Sequence, residues 1–545
     1  MTAAPSAVLR VGQARITAGL DRYARLDLDA HRSVFGPPPE LTAAALVAMC
    51  ERTDLRGRGG AAFPVARKLR AVMARSAGKR RPFVVVNGTE GEPGSAKDKT
   101  LLRRSPHLAL DGAMLVARAL DAAQVIVAVT SDGPQAESVS DAVAEDAELS
   151  RLVRVVLVPD RFVSGESGAL ISAINGKAAL PPGVKTRASD AGVRAQPTLL
   201  SNTETFAQLA VLGMLGPAGY ASTGVASEPG TVLLTVGGSV SRPAVVEIPA
   251  GVPLGHVLDV CEAQQPGGVL IGGYHGMWLS PDAADFAPVS RSGIAASGGT
   301  LGAGVVLVLG GGSCPLGEVA RVAGYMAMQS SGQCGPCKAG LPVVARSLAA
   351  LAAGAGGPDQ LEMARRTAAG VRGRGACHHP DGTANFVASA LDVFAADVTE
   401  HMFRGTCGRP TLGILPLPDA ATETRLAVDW TRCDGHGLCA RIAPEMIKLD
   451  ADGYPEIIDG SVPFWLAREA RQAVDMCPAL ALTLTKPAPR PDPPQYRQRP
   501  HPRIEQADRG EPPTLTGRAM RRTEAEIEAA AAWLSEISGQ RSLRA

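Results

Sequence analysis

No stretch of this chain stays apolar for long. The longest such run, around LGAGVVLVLGGG, falls far short of the roughly 20 residues that a membrane-spanning helix needs. A charge excess of one sign is also missing. The 55 Lys and Arg stand against 53 Asp and Glu, and a net charge of +2 gives no reason to expect nucleic acid or another polyanion as partner. The opening MTAAPSAVLRVGQARITAGL does not read as a signal peptide, because Arg10, Gln13 and Arg15 interrupt its apolar residues. A soluble, cytoplasmic protein is therefore expected. In a reducing compartment clustered cysteines read as metal or cluster ligands, not as a disulfide framework. Most of the ten cysteines lie after residue 313, which places that chemistry in the C-terminal part.

What the chain does have is glycine and proline, 61 and 42 residues, and hence many turns. At 545 residues it exceeds a single core and predicts about three or four domains. Residues 1–50 read as an N-terminal arm ending in a helix. Between 51 and 225, PFVVVNG, QVIVAVT and LVRVVLVP are short β-branched runs separated by helical periodicity, the pattern of an α/β domain with a mostly parallel sheet. Short Gly- and Pro-punctuated strands over 228–303 predict a small β-rich domain. Residues 304–404 turn helical, 405–424 read as a linker, and 425–486 form a compact segment. The stretch 487–545 is a Pro- and Arg-rich linker leading to a terminal helix, opened by a capping box at Thr523 and Glu526.

The first chemical signal is LRGRGGAAFP. Gly57, Gly59 and Gly60 let backbone N–H groups approach a ligand, and Pro64 opens a helix whose N-terminus favours an anion, with Arg58 and Lys68 adding charge. Helix-like sequence precedes the loop where a dinucleotide fingerprint needs a strand, so it is either another kind of phosphate cradle or a plain tight turn. A buried strand then delivers NGTEGEPGSAKD, placing Asn87, Glu90 and Glu92 at its carboxyl end, where open α/β sheets bind ligands. A carboxylate beside a ribose disfavours a 2′-phosphate, which points to NADH over NADPH. Two further loops, FVSGESGAL and QPTLLSNTETFAQ, are placed to close such a pocket. Further on, GQCGPCKAG holds a Cys-x-x-Cys pair suited to half a zinc site, half an iron–sulfur cluster or a redox disulfide.

In this order, LRGRGGAAFP, NGTEGEPGSAKD, SGESGAL, PTLLSNTET and GQCGPCKAG resemble the NADH-oxidising flavoprotein subunit of respiratory complex I, whose relatives occur in NAD-linked hydrogenases and formate dehydrogenases. The resemblance covers about residues 50–404. It implies an α/β multidomain protein with a Rossmann-like FMN domain, a β-grasp domain and a helical iron–sulfur domain. It further implies FMN held by Gly57, Arg58, Gly59, Gly60, Lys68, Asn87, Glu90, Gly165, Glu166, Ser201, Asn202 and Thr205, with NADH stacking near Phe63 and meeting Glu92. The chain departs from the family at Thr89 (usually Asp), Ser167 (Glu), Ser201 (Asn) and Ala71 (an aromatic).

The family's cluster motif places Ser331 at the first ligand position, Cys334 and Cys337 at the second and third, and Cys377 as the fourth. Three outcomes stand open: Ser331 ligating as an alkoxide, a three-iron cluster on three thiolates, or buried cysteines with no cluster. Cys314, His378 and His379 are candidate substitutes. Cys407 has no partner at ligand spacing, and Cys50 and Cys261 read as core residues. The pattern Cys433, His436, Cys439 and Cys477-Pro478 gives Cys3His, which suits zinc or a cluster. Residues 425–486 resemble single-cluster ferredoxins of actinobacterial type, α+β domains that commonly carry three irons, with four permitted by a His, and often serve cytochromes P450.

Together the resemblances imply an NADH:ferredoxin oxidoreductase with its ferredoxin fused. FMN takes hydride and releases single electrons through one or two iron–sulfur clusters, 3Fe-4S or 4Fe-4S, to an acceptor such as a cytochrome P450. A diaphorase subunit of a larger hydrogenase- or formate-dehydrogenase-type complex is the second reading. A non-catalytic scaffold with a degenerate nucleotide site is the third.

Overall fold

The computed structural model describes residues 7–76, 80–130, 133–183, 186–418, 424–457, 462 and 466–485. The Pro- and Arg-rich stretch and the helix expected near Thr523 lie outside them. Each β-branched run of the first domain forms a strand; PFVVVNG and QVIVAVT are buried on both faces, and LVRVVLVP lies at the sheet edge with Arg154 and Leu157 exposed. Strands β2 (Phe83–Gly88), β3 (Gln124–Thr130), β4 (Val153–Val158) and β5 (Thr198–Asn202) pair in parallel in the order β4-β3-β2-β5. Val84, Val86, Val125 and Val127 join the core beneath the helices Pro106–Ala119 and Thr203–Tyr220. Val85, Ile126 and Ala128 face a smaller core with Leu170 and Ile174. The two helices cross so closely that a Cβ on Gly112 would lie 1.8 Å from the Phe206 carbonyl oxygen.

The two stretches expected as pocket-closing loops are largely regular. TLLSN is β5 itself, because its residues are buried from Thr198 to Ser201 and pair with β2. Phe162–Gly165 is a 3-10 turn running into the helix Ser167–Ile174.

A six-stranded mixed sheet follows. The N-terminal segment is not simply a helical arm: β1 (Ala7–Arg10) is the edge strand of this second sheet. After a two-residue ladder of β6 (Gly224–Val225) and β7 (Glu228–Pro229), the sheet takes β8 (Thr231–Gly238), β9 (Ala244–Pro249), β10 (Pro266–Ile271), β11 (Met277–Leu279) and β12 (Val305–Gly310), in the order β1-β9-β8-β12-β10-β11. β12 also moves a boundary, since the run VVLVLG expected in the helical domain lies between β8 and β10. The buried Glu247 on β9 explains why the N-terminus stays: its carboxylate accepts from the N–H groups of Arg15, Ile16 and Thr17 at 2.9–3.1 Å and from the Thr231 hydroxyl at 2.7 Å. A buried carboxylate needs such donors.

The helices Pro315–Met328, Leu341–Ala352, Pro358–Val371, His379–Val393 and Ala395–Arg404 form the next core with Trp278 and Phe386. The expected linker is partly fixed to it. Glu318 accepts from Gly413, Ile414 and Leu415 N–H at 2.6–3.3 Å, and Leu415 is fully buried. The last described part pairs β13 (Arg425–Val428) with β16 (Leu482–Thr485), and β14 (Ile447–Leu449) with β15 (Pro455–Ile457). Its helices are Leu438–Ile442 and Ala467–Asp475, and its own core includes Leu426, Met446 and Ala470. Among the described residues no helix is long and apolar enough to cross a membrane.

Candidate cofactor site and electron-transfer centres

The parallel strands β2 and β5 end side by side, Asn87 opposite Asn202, and the glycine loop closes over that edge. Gly57 N–H donates to the Phe63 carbonyl at 3.0 Å, and Arg56 pairs with Pro64, so the loop is a narrow turn running into the helix Val65–Arg75. Gly59 lies against Asn202, where a Cβ would come to 3.0 Å of the Asn202 Cβ, and Gly60 has φ +105°. A side chain at 59 would crowd Asn202, and the backbone at 60 favours glycine. Arg58 N–H donates to the Thr205 hydroxyl at 2.9 Å. Its guanidinium, however, turns inward to Glu228 at 3.0 Å and to the Thr231 carbonyl at 3.3 Å, so its charge is already neutralised within the protein. Lys68 donates to the Leu200 carbonyl at 3.0 Å, and burial lowers its pKa. Phe63 remains 45% exposed, as a stacking surface requires.

Along the acidic loop, most predicted residues already have partners. Asn87 donates to the Gly165 carbonyl at 2.9 Å and accepts from the Thr89 hydroxyl at 2.6 Å, which explains why threonine fits at 89. Glu90 is buried and accepts from Ser95 Oγ and from the N–H groups of Asp98 and Lys99, at the start of the helix Lys97–Arg104. Glu166 caps its helix by accepting from Gly168 and Ala169 N–H. Ser201 is buried in β5, and Asn202 caps the helix Thr203–Tyr220.

Glu92 is different. Its Oε2 accepts from Tyr274 N–H at 3.0 Å, while Oε1 is buried without a hydrogen-bond partner among the described residues. Burial pushes its carboxyl up to about 8, with Glu90 adding to the rise and the Tyr274 and Gly94 N–H groups opposing it.

Between these predicted residues lies a group that the sequence did not single out. Lys97 is 1% exposed and sits 2.9 Å from Asp98, 3.0 Å from Glu204 and 3.3 Å from Asn202 Oδ1. Burial opposes its charge, but Asp98, Glu204 and Glu90 hold its pKa above the ordinary lysine value. A lysine in a polar Gly-rich stretch reads as solvated, and only the tertiary fold reveals it as the buried cation beside the strand ends. A cavity opens beside it, lined by Gly57, Arg58, Gly60, Glu204, Arg291 and the loop 299–304. A glycine-lined cavity with Arg58 and Arg291 in its wall, next to the Lys97–Glu204 pair, suits an anionic, hydrogen-bonding cofactor such as FMN.

Cys334 and Cys337 start the helical domain's ligand loop, and Cys337 lies in a single π-turn, Pro336–Gly340. Burial, with nearby Cys334 and Cys377 adding to the rise and Ser330 opposing it, pushes the Cys337 thiol up to about 12. The three predicted thiols are therefore neighbours, with Ser331 buried in the same segment. The suggested substitutes are committed elsewhere. His379 pairs with His275 at 3.1 Å and with the Met326 carbonyl at 2.8 Å, His378 is exposed, and Cys314 faces His401. Cys407, expected to stand alone, lies with Cys314 and His401. Cys50 and Cys261 are buried, as core residues should be. In the last domain Cys433, His436, Cys439 and Cys477 line one common cavity, a donor set that fits a cluster. Lys338, beside Cys337, reaches Glu445 of that domain at 2.7 Å.

Three segments of the chain match known families. Residues 50–211 match the Nuo51 FMN-binding domain, 317–401 the NADH-ubiquinone oxidoreductase-F iron-sulfur binding region, and 426–484 a 4Fe-4S single cluster domain. The chain is 28% identical over 391 residues to an NADH-quinone oxidoreductase subunit of Rhizobium meliloti, covering 68% of this chain and 91% of that protein. It is 24% identical over 422 residues to the NADP-reducing hydrogenase subunit HndC of Solidesulfovibrio fructosivorans, covering 74% and 84%. Among solved structures, an NAD+-reducing [NiFe]-hydrogenase in the H2-reduced state superposes with a TM-score of 0.64 at 28% identity, covering 73% of this chain and 68% of that one.

Proposed function

The chain carries the FMN-binding and iron–sulfur domains of the NADH-oxidising complex I flavoprotein together with a 4Fe-4S single-cluster domain, and from that premise we propose that it is an NADH:ferredoxin oxidoreductase with a built-in ferredoxin. One observation carries this reading. The ligand loop of the helical domain touches the ferredoxin-type domain directly, through Lys338 and Glu445, which supports two neighbouring cluster sites in the chain that carries the flavin site.

Bound FMN would supply the exchange between hydride and single electrons. The residues here bind and orient. Gly57, Gly59 and Gly60 bring backbone to the phosphate, with Lys68 and Lys97 as cations. Asn87, Glu90, Gly165, Glu166, Ser201, Asn202 and Thr205 shape the flavin's surroundings, and Arg58 holds the loop through Glu228. Phe63 offers the face for NADH and Glu92 the carboxyl that meets it. Cys334, Cys337 and Cys377, with Ser331 at the fourth position, would hold the first cluster; Cys433, His436, Cys439 and Cys477 would hold the second. The mixed sheet, with its hairpin, helix and returning strands, fits the β-grasp reading. The bound clusters would supply single electrons to an external acceptor, of which a cytochrome P450 is the first to test. The kinship with hydrogenase subunits favours a second reading, a diaphorase module inside a larger complex.

Anaerobic titration with NADH and NADPH tests the proposal. Bleaching of bound flavin by NADH, with little response to NADPH, supports it. A protein that binds no flavin and stays inert after FMN is added supports the scaffold reading instead.

A further inference from the structure

The cluster that the electron path leaves unused lies where the helical domain meets the segment after it. Cys314 caps the helix Pro315–Met328, accepting from Gly317 N–H at 3.3 Å. His401 belongs to the last turn of the helix Ala395–Arg404. Gly405, in the left-handed region at φ +75°, ends that helix and turns the chain back, bringing Cys407 to the same point. The turn is held from the other side too, because Cys314 N–H donates to the Pro410 carbonyl at 2.8 Å. Cys314 Sγ is 3.2 Å from His401 Nε2, and one ligand atom from each of the three residues lies within 4.8 Å of the other two.

We propose that Cys314, His401 and Cys407 bind one zinc ion, with solvent at the fourth position. In tetrahedral zinc sites, Zn–S of about 2.3 Å and Zn–N of about 2.0 Å place sulfur atoms roughly 3.8 Å apart and sulfur and nitrogen roughly 3.5 Å apart. Ligand atoms within 4.8 Å of one another therefore close on an ion with small side-chain shifts. Two soft sulfurs and an imidazole select zinc over oxygen-seeking cations. Cys314 and His401 are buried at 3% exposure and Cys407 is half-buried, which leaves solvent a route to the group on the Cys407 side. Binding forms two zinc–thiolate bonds and one zinc–imidazole bond and releases two thiol protons to solvent. The ion then ties the segment leading to the ferredoxin-type domain to the helical body. A Cys314–Cys407 disulfide would leave the histidine's placement without purpose.

The test uses the full chain, purified anaerobically after expression in zinc-supplemented medium. Elemental analysis should give close to one zinc per chain, and zinc-edge X-ray absorption, which flavin and iron do not obscure, should show two sulfur and two nitrogen or oxygen neighbours. Cys407→Ser and His401→Ala should each lower zinc at least five-fold while bound FMN stays unchanged, and Cys261→Ser should leave zinc unaltered. Because His401→Ala removes a buried side chain, the half-buried Cys407→Ser decides the matter if His401→Ala fails to fold. Zinc absent from the wild-type chain, zinc content insensitive to Cys407→Ser, iron in its place, or a Cys314–Cys407 disulfide in the anaerobic protein would each overturn the assignment.

Discussion

Glu92 shows how one carboxyl links the fold to pH. Its folded pKa, pushed up to about 8 by burial, stands above the unfolded value of about 4.3. The folded protein therefore holds this proton more tightly. Glu92's contribution to stability is fully present below about pH 4.3 and is lost as pH rises through 8. Chemical unfolding of wild type and Glu92→Gln between pH 5 and 9 should show the wild type losing stability relative to the variant as pH rises; parallel profiles would refute the assignment. Lys97 makes the complementary case. Lys97→Met leaves Asp98 and Glu204 buried without their cation and should cost about 3–5 kcal/mol in denaturant unfolding. Adding Glu204→Gln should recover part of that loss. At this scale sequence is an uneven guide. Gly59 and Asn87 are legible because turn chemistry is local, whereas Lys97 and the inward-turned Arg58 depend on partners more than a hundred residues away.

The elements show the same division. β2 and β3 are readable because a strand buried on both faces has to be a β-branched run, β4 because its valines keep that signature even at the sheet edge, and helices with strong periodicity declare themselves. TLLSN escapes because its five residues lie among turn-forming ones, and only pairing with β2 makes it a strand. VVLVLG falls to the wrong neighbour, since an apolar run does not state which sheet will take it. β1 is harder still, because its place depends on Glu247. Glu247→Ala leaves the N–H groups of Arg15, Ile16 and Thr17 without an acceptor, and limited proteolysis should cut between residues 10 and 22 at least ten times faster than in wild type. Gly112→Ala tests the helix crossing. With no room for a Cβ beside Phe206, it should destabilise the flavin domain by about 1–3 kcal/mol, read as a lower midpoint in thermal unfolding.

For the whole molecule, the order of motifs along the chain reveals the order of domains, because each domain carries its own ligands close together in sequence. What sequence does not reveal is how the domains touch: the Lys338–Glu445 pair, the fixed segment 405–418, and the Cys314–His401–Cys407 group all join residues from separate segments. The central claim is that electrons from NADH reach the ferredoxin-type cluster through this single chain. Rapid-freeze EPR of anaerobic protein mixed with NADH tests it most directly, on wild type and on Cys433→Ser. Two cluster signals are expected in the wild type, with the ferredoxin-type signal alone missing from a variant whose flavin still bleaches. Flavin bleaching in the wild type without any reduced cluster signal would contradict it.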